Sequence, residues 1–349
     1  MKFNPLGQSG IQVPEICLGT MTFGEQNNQT EAFEQLSYAL DQGLYFWDTA
    51  EMYPVPPKPE TQGATEQIIG NWIAQNGQRD KLFIASKIAG PQQGGSHIRD
   101  GHTQFIESEI AAALDGSLKR LQTDYIDLYQ LHWPQRPTNF FGKLGYSNSD
   151  AHSQQHITPL EETLTALSKE VQKGRIRHIG LSNETPWGTL KFLHLAEKLG
   201  LEKIVSVQNP YNLLNRSYEI GMAEIAHYEN VGLLAYSPLA FGYLTGKFRH
   251  GARPANARVT RFSRFSRYSN PESEWATEHY AQLAEKHGLS LTQLALAYIK
   301  QQFFVTSTII GATHLSQLKE NIAAFDLTLS DEILQGVEDI HRQQPNPAP

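Results

Sequence analysis

Eight times along this 349-residue chain a short apolar run gives way to a segment of helical periodicity, at spacings of about 30 residues. The runs lie at 15–19, 45–49, 82–87, 125–133, 176–181, 205–208, 232–236 and 307–310. Helical patterns at 29–42, 64–76, 104–121, 159–172, 186–199, 218–229, 272–287, 291–302 and 314–324 fill the intervals. Gly43, Gly77 and Gly200 stand where a helix ends on a left-handed residue. The runs are continuously apolar, not alternating, which suits a parallel sheet covered on both faces. Eight such units point to an α/β fold, a (β/α)8 TIM barrel, in one domain spanning 1–349. A doubly wound dinucleotide fold would need G-x-G-x-x-G after its first strand, and LGTMTFG at 18–24 does not supply it.

Around this frame, residues 2–14 alternate about Gly7-Gln8-Ser9-Gly10 and read as an N-terminal β-hairpin. A C-terminal helix over 330–341 opens on the capping signal Ser330-Asp331-Glu332, and 343–349 reads as an irregular tail. Four connections are long: 54–63, 88–103, 134–158 and 240–271. All follow strands, which in a barrel places them on the C-terminal face, where sites are built.

Composition narrows the functional classes. A net charge of −7 and the lack of a polybasic run argue against nucleic acid or an anionic membrane as partner. Cys17 is the single cysteine, so neither an internal disulfide nor a cysteine-based metal site is expected, and a reducing, cytoplasmic setting fits. No uninterrupted apolar stretch approaches the length of a membrane span.

Three strand ends carry ionisable side chains. Asp48 closes the second run with Tyr53 five residues on, Lys87 closes the third, and His132 closes the fourth. Singly, each has a plain structural reading: a turn cap, a solvated strand terminus, a hydrogen-bonded core histidine. Barrel order puts all three on adjacent strands of one rim, and the coincidence favours a site. The chemistry is coherent. A phenol protonates substrates poorly at its reference pKa of about 10. A neighbouring ammonium lowers that value, a carboxylate keeps the ammonium charged, and histidine orients the same oxygen. This makes a general acid for a carbonyl becoming an alcohol. With no nucleophile or metal beside it, the reaction's other half is expected to be a hydride from a cofactor.

With these residues in place, the chain resembles the aldo-keto reductases, whose catalytic tetrad matches Asp48, Tyr53, Lys87 and His132. The likeness extends through Gly43-Leu-Tyr-Phe-Trp-Asp48-Thr-Ala-Glu-Met-Tyr53, Asp124-Tyr-Ile-Asp-Leu-Tyr-Gln-Leu-His132, Gln208-Asn-Pro-Tyr-Asn212 and Gly311-Ala312-Thr313…Gln317…Glu320-Asn321. The inserts Pro54-Val-Pro-Pro-Lys-Pro and Trp133-Pro-Gln-Arg-Pro-Thr-Asn resemble the bacterial Tas-type branch. The resemblance implies reduction of a small carbonyl substrate by NADPH, with NADH less favoured. Ser182, Asn183 and Gln208 would then bond the nicotinamide carboxamide, and Tyr236 would stack on its ring. Ser237, Pro238 and Leu239 would lie near the pyrophosphate, with Gly242 and Lys247 on the loop beyond. Gly311 and Thr313 lead into a helix whose N-terminus attracts phosphate, and Gln317, Glu320 and Asn321 share one face of it for adenosine.

One departure stands out. Many family members hold the 2′-phosphate with a Lys and an Arg near the last strand, where this chain has Gly311 and Gln317. In the branch with the potassium-channel β subunits the charge comes from the loop after the seventh strand, which assigns Lys247 and Arg258 that role here. Arg264 and Arg267 read as solvated loop residues, and Glu51 has no assignable role. Trp133, Phe140, Phe141 and Tyr146 suggest an aromatic mouth. Two other functional classes remain open. A cofactor-binding regulatory module would have its histidine position changed, whereas His132 is intact. A metal-dependent hydrolase would want more His and Asp at strand ends, and His152 and His156 fall on a polar loop.

Overall fold

Alternation along each barrel strand decides which residues face the axis, and the computed structural model, which describes residues 1–91 and 96–349, shows the outcome strand by strand. The strands are β3 (Ile16–Gly19), β4 (Phe46–Asp48), β5 (Phe83–Ile88), β6 (Ile126–Leu131), β7 (Ile176–Ser182), β8 (Ile204–Pro210), β9 (Gly232–Tyr236) and β10 (Val305–Ile310), and they form a closed parallel barrel in chain order. Closure comes from β10 pairing with β3, with Thr308 opposite Ile16. Phe46, Phe83, Ala85, Leu128, Leu234 and Ile309 fill the barrel interior. Trp47, Ile84 and Tyr129, the residues between, point outward into the larger core under the helices.

The hairpin of β1 (Phe3–Pro5) and β2 (Gln12–Pro14) is antiparallel, and its Leu6 and Val13 join the interior cluster, plugging the barrel floor. Apolar residues therefore fill the lower layers, and the next inward positions up, Asp48 above Phe46 and Lys87 above Ala85, must be polar residues with partners. Gly180 on β7 makes room for this layer: a Cβ there would lie 3.0 Å from the Gln130 side chain and 3.1 Å from Leu128.

The helices are α1 (Gln29–Asp41), α2 (Ala64–Asn76), α3 (Glu107–Leu121), α4 (Asn148–Ala151), α5 (Leu160–Gln172), α6 (Pro186–Leu199), α7 (Met222–Glu229), α8 (Arg258–Arg261), α9 (Pro271–Lys286), α10 (Leu291–Lys300), α11 (Leu315–Ala323) and α12 (Asp331–Gln343). Local signals set their starts. Asn28 and Glu31 make a reciprocal capping box for α1, Ser290 and Gln293 another for α10, and Asn270 precedes Pro271 at the start of α9. Ser330 caps α12 as the sequence suggests, but the helix runs on to Gln343, so the irregular tail begins at Gln344. That tail is docked: Ala348 N–H donates to the Leu214 carbonyl at 3.1 Å. The long loops also hold short helical turns, α4 within 134–158 and α8 within 240–271. The expected loop 88–103 lies partly outside the described residues. No described helix is long and apolar enough to cross a membrane.

Candidate active site

Strand register builds the site from below. Lys87 on β5 sits opposite Gln130 on β6, and Asp48 on β4 opposite Ala85. The Lys87 ammonium, fully buried, donates to Asp48 Oδ2 at 2.7 Å, to the Thr49 carbonyl at 2.7 Å and to the Tyr53 hydroxyl at 3.5 Å. The other Asp48 oxygen accepts from Gln208 Nε2 at 2.8 Å and Gln130 Nε2 at 3.4 Å. The His132 ring meets that of Tyr53 edge-on at 5.6 Å between centroids, and its Nδ1 is buried with no hydrogen-bond partner among the described residues.

Electrostatics sorts these groups. Burial pulls Lys87 down, but Asp48 and Tyr53 more than compensate, so its pKa is raised and the ammonium stays charged. Burial and the Lys87 charge hold His132 well below the usual histidine value, leaving a neutral imidazole. The Tyr53 phenol departs from expectation. Lys87 does draw it down, but burial outweighs that pull and Asp48 adds to it, so the net shift is upward, not downward. Sequence reasoning counted the ammonium and omitted the loss of water around the phenol. The result is a Tyr53 that is firmly protonated at neutral pH.

Above this floor opens a cavity of about 1770 Å³. Of the nineteen residues singled out from the sequence, Lys87 alone lies beneath its surface; the other eighteen line it. Ser182 and Asn183, at the end of β7, are tied into the rim: Ser182 Oγ donates to the Gln208 carbonyl at 2.9 Å, and Asn183 Nδ2 to the His132 carbonyl at 2.8 Å. The Tyr236 hydroxyl donates to Asn183 Oδ1 at 2.6 Å. Ser237, Pro238, Leu239 and Gly242 form the wall after β9, and Lys247 and Arg258 project from the loop beyond. On the opposite side, Gln317 Oε1 accepts from the Thr313 amide at 3.0 Å, pinning the Gly311–Thr313 turn to the first turn of α11, with Glu320 and Asn321 on the same wall.

Several expectations need amendment. Trp133, Phe140 and Phe141 do line the mouth, but Tyr146 is exposed and lies outside it. Arg267 is not a solvated loop residue: it is half-buried in the cavity wall, with its guanidinium 5.8 Å from the Phe241 ring centroid. Arg264 is exposed, as expected. Glu51 has a task after all. Its buried carboxylate accepts from the Ala89 amide at 2.6 Å and from the Arg99 guanidinium, clasping the Tyr53 turn to the segment after β5. Gln130 was missed altogether. Its place two residues before His132 on one strand, hence on the same face, was the available signal.

The sequence model of the Aldo/keto reductase family matches residues 15–342. The chain belongs to this family. It is 51% identical to Protein tas of Escherichia coli over 349 residues, covering all of both chains. It is 30% identical to L-glyceraldehyde 3-phosphate reductase of Escherichia coli O157:H7, covering 97% of this chain and 92% of that one. It is 29% identical to a probable voltage-gated potassium channel subunit beta of Arabidopsis thaliana, covering 99% and 98% respectively. Membership makes the protein an oxidoreductase of a family that generally uses NAD(P)H, and the Tas-type resemblance holds.

Proposed function

We propose that the protein reduces aldehydes or ketones to alcohols with NADPH, using Tyr53 as general acid. The observation that carries this reading is the buried Lys87 ammonium shared between Asp48 and the Tyr53 hydroxyl beneath the cavity. Tyr53 gives its proton to the carbonyl oxygen as that oxygen gains charge. Lys87 stabilises the phenolate left behind, and Asp48 keeps Lys87 charged and in place. Neutral His132 donates a hydrogen bond to the same oxygen and fixes the carbonyl's orientation. Such proton transfer is worth about 10² to 10⁴ in rate.

The residues present fit the cofactor. Among the described residues Lys247 and Arg258 have no ion-pair partner, and burial pulls Arg258 down to about 10, which an anion would reverse. Gln208 spends its Nε2 on Asp48, leaving its Oε1 for a ligand amide. Lys247 and Arg258 would hold the 2′-phosphate, Gly311, Thr313, Gln317, Glu320 and Asn321 the adenosine side, Ser237 to Leu239 and Gly242 the pyrophosphate, and Ser182, Asn183, Gln208 and Tyr236 the nicotinamide. When bound, NADPH supplies the hydride.

The likeness to a channel β subunit keeps a second reading in view, a cofactor-binding regulatory module with little turnover. Purified protein should oxidise NADPH in the presence of a nitrobenzaldehyde or methylglyoxal. Tight NADPH binding without turnover across a broad carbonyl panel would favour the regulatory reading instead.

A further inference from the structure

The cavity wall carries more unpaired cations than the two assigned to the cofactor above. The whole chain carries a net charge of −7, yet this wall is cationic. Two of its cations are internally satisfied: Arg136 is paired with Glu184, and Lys143 with Asp150. Lys247, Arg258, Arg264 and Arg267 have no ion-pair partner among the described residues, and the lining acids outside any ion pair there are Glu320 and the terminal carboxylate of Pro349, which shares the neighbourhood of Gly142 with Arg267. Four unpaired cations against two unpaired acids, in a partly desolvated bowl, describe a site for anions.

Arg267 differs from the other three in its surroundings. It stands against the phenols of Tyr236 and Tyr268 and beside the Phe241 ring, and its Nη1 is buried without a hydrogen-bond acceptor. Across the mouth it meets Gly142, where a Cβ would come within 3.2 Å of Arg267 Nε. Phe141, next to Gly142, packs on Trp133 at 5.7 Å between centroids, and Trp133 packs on His132 at 5.0 Å. A line of contacts thus runs from the His132 imidazole along the aromatic mouth to the Arg267 guanidinium. The phenols keep the Arg267 guanidinium charged, while its Nη1 still lacks an acceptor, and its fork suits carboxylate and phosphate oxygens.

We propose that Arg267 recognises an anionic group, a carboxylate or a phosphate monoester, on the carbonyl substrate, at the end away from the reacting carbon. This rests on the reductase reading above. The carbonyl meets Tyr53 and His132, the substrate body lies along Trp133 and Phe141, and the anion reaches Arg267 beside Gly142. The glycine keeps that approach open.

The test uses full-length protein, NADPH and two matched pairs: benzaldehyde with 4-carboxybenzaldehyde, and glyceraldehyde with glyceraldehyde 3-phosphate. The wild type should prefer the anionic member of at least one pair in kcat/KM, and which pair shows it tells carboxylate from phosphate. Arg267→Met should lower kcat/KM for that anionic substrate about 10- to 100-fold, mainly through KM, and leave its neutral counterpart within about threefold. Arg267→Lys should recover part of the loss. Equal losses for neutral and anionic substrates would overturn the assignment, as would no anion preference in the wild type. A tenfold weaker NADPH affinity in Arg267→Met would give the residue to the cofactor instead. Calorimetric binding of 4-(hydroxymethyl)benzoate and of glycerol 3-phosphate to the NADP-loaded protein separates failure of this proposal from failure of the reductase reading. Binding of either that Arg267→Met abolishes supports the anion site even if no carbonyl is turned over, and binding that the variant leaves unchanged sinks it.

Discussion

The floor of the cavity and its rim use charge in opposite ways. On the floor the Lys87 ammonium has three acceptors, and both Asp48 oxygens have donors within the protein. On the rim Lys247, Arg258 and Arg267 have no ion-pair partner among the described residues, and Arg258 further depresses the Lys247 pKa beyond what burial does. The Lys87–Asp48 pair is thus complete before any ligand arrives, whereas the rim is complete only with anions bound. Preorganised groups are what lower a barrier, because they need no rearrangement as charge develops. Uncompensated groups are what give affinity, because the ligand relieves their desolvation. Catalysis and recognition should therefore separate cleanly by mutation.

The largest expected effect tests the floor. Tyr53→Phe removes the proton donor and nothing that touches the rim. Turnover should fall about 10² to 10⁴-fold while the NADPH dissociation constant stays within about twofold. An unchanged turnover number would remove Tyr53 from its assigned role. Lys87→Met comes next, and its effect is on stability as well as rate. It strands the Asp48 carboxylate in a nearly dry layer, which should cost about 3 to 5 kcal/mol in urea unfolding. The double variant Lys87→Met with Asp48→Asn, which removes both charges, should regain most of that stability but none of the activity. If the single variant is as stable as the wild type, the floor is wetter than its burial indicates.

On the rim the pattern should invert. Lys247→Ala breaks no ion pair seen in the protein and relieves its repulsion with Arg258, so unfolding stability should move by less than about 0.5 kcal/mol. NADPH affinity should weaken about tenfold and NADH affinity change little, since NADH lacks the 2′-phosphate. A fluorescence titration suits this measurement because Trp133 lines the cavity, whereas Trp187 stands exposed outside it and Trp47 is buried on the barrel's outer face. Equal losses for both cofactors would place Lys247 at the pyrophosphate.

The contrast also explains what the sequence could disclose. Asp48, Lys87 and His132 are legible because strand alternation and barrel order assign direction to any residue at a strand end, and direction is most of what a floor residue needs. Gly232–Tyr236 and Pro186–Leu199 match their expected bounds for the same reason: periodicity and caps are local. Arg267 was misread because nothing within the 240–271 loop shows which of its arginines folds inward. The turn into that loop places Ser237, Ala240 and Phe241 at positive φ, a path no propensity predicts, and Arg267 packs beside Phe241 in the wall. The Glu51 clasp was invisible for a related reason, since its partner Arg99 lies 48 residues on, in an irregular segment, itself at positive φ. The upward shift of Tyr53 was missed because burial is a property of the closed barrel and not of any pair of residues.

The smallest expected effect concerns His132, whose charge changes near neutrality only in the unfolded chain. Burial, with the Lys87 charge behind it, holds the folded-state pKa of His132 well below its unfolded value near 6.5. Below pH 6.5 the unfolded chain therefore binds a proton at this position that the folded chain refuses. Stability linked to His132 is whole above about pH 6.5 and declines as the pH falls further, with a slope of at most about 1.4 kcal/mol per pH unit for one proton. His178 and His341 are depressed as well and titrate in the same window, so the wild-type slope alone does not isolate His132. The difference between wild type and His132→Gln does. Urea unfolding at pH 7.5, 6.5, 5.5 and 5.0 should show the variant losing less stability on acidification, and parallel curves would mean that His132 already accepts a proton in the fold. That outcome would matter for the floor as a whole, because a protonated imidazole beside Lys87 would place a second positive charge against Tyr53 and end the division of labour in which a neutral histidine orients the carbonyl and the phenol alone delivers the proton.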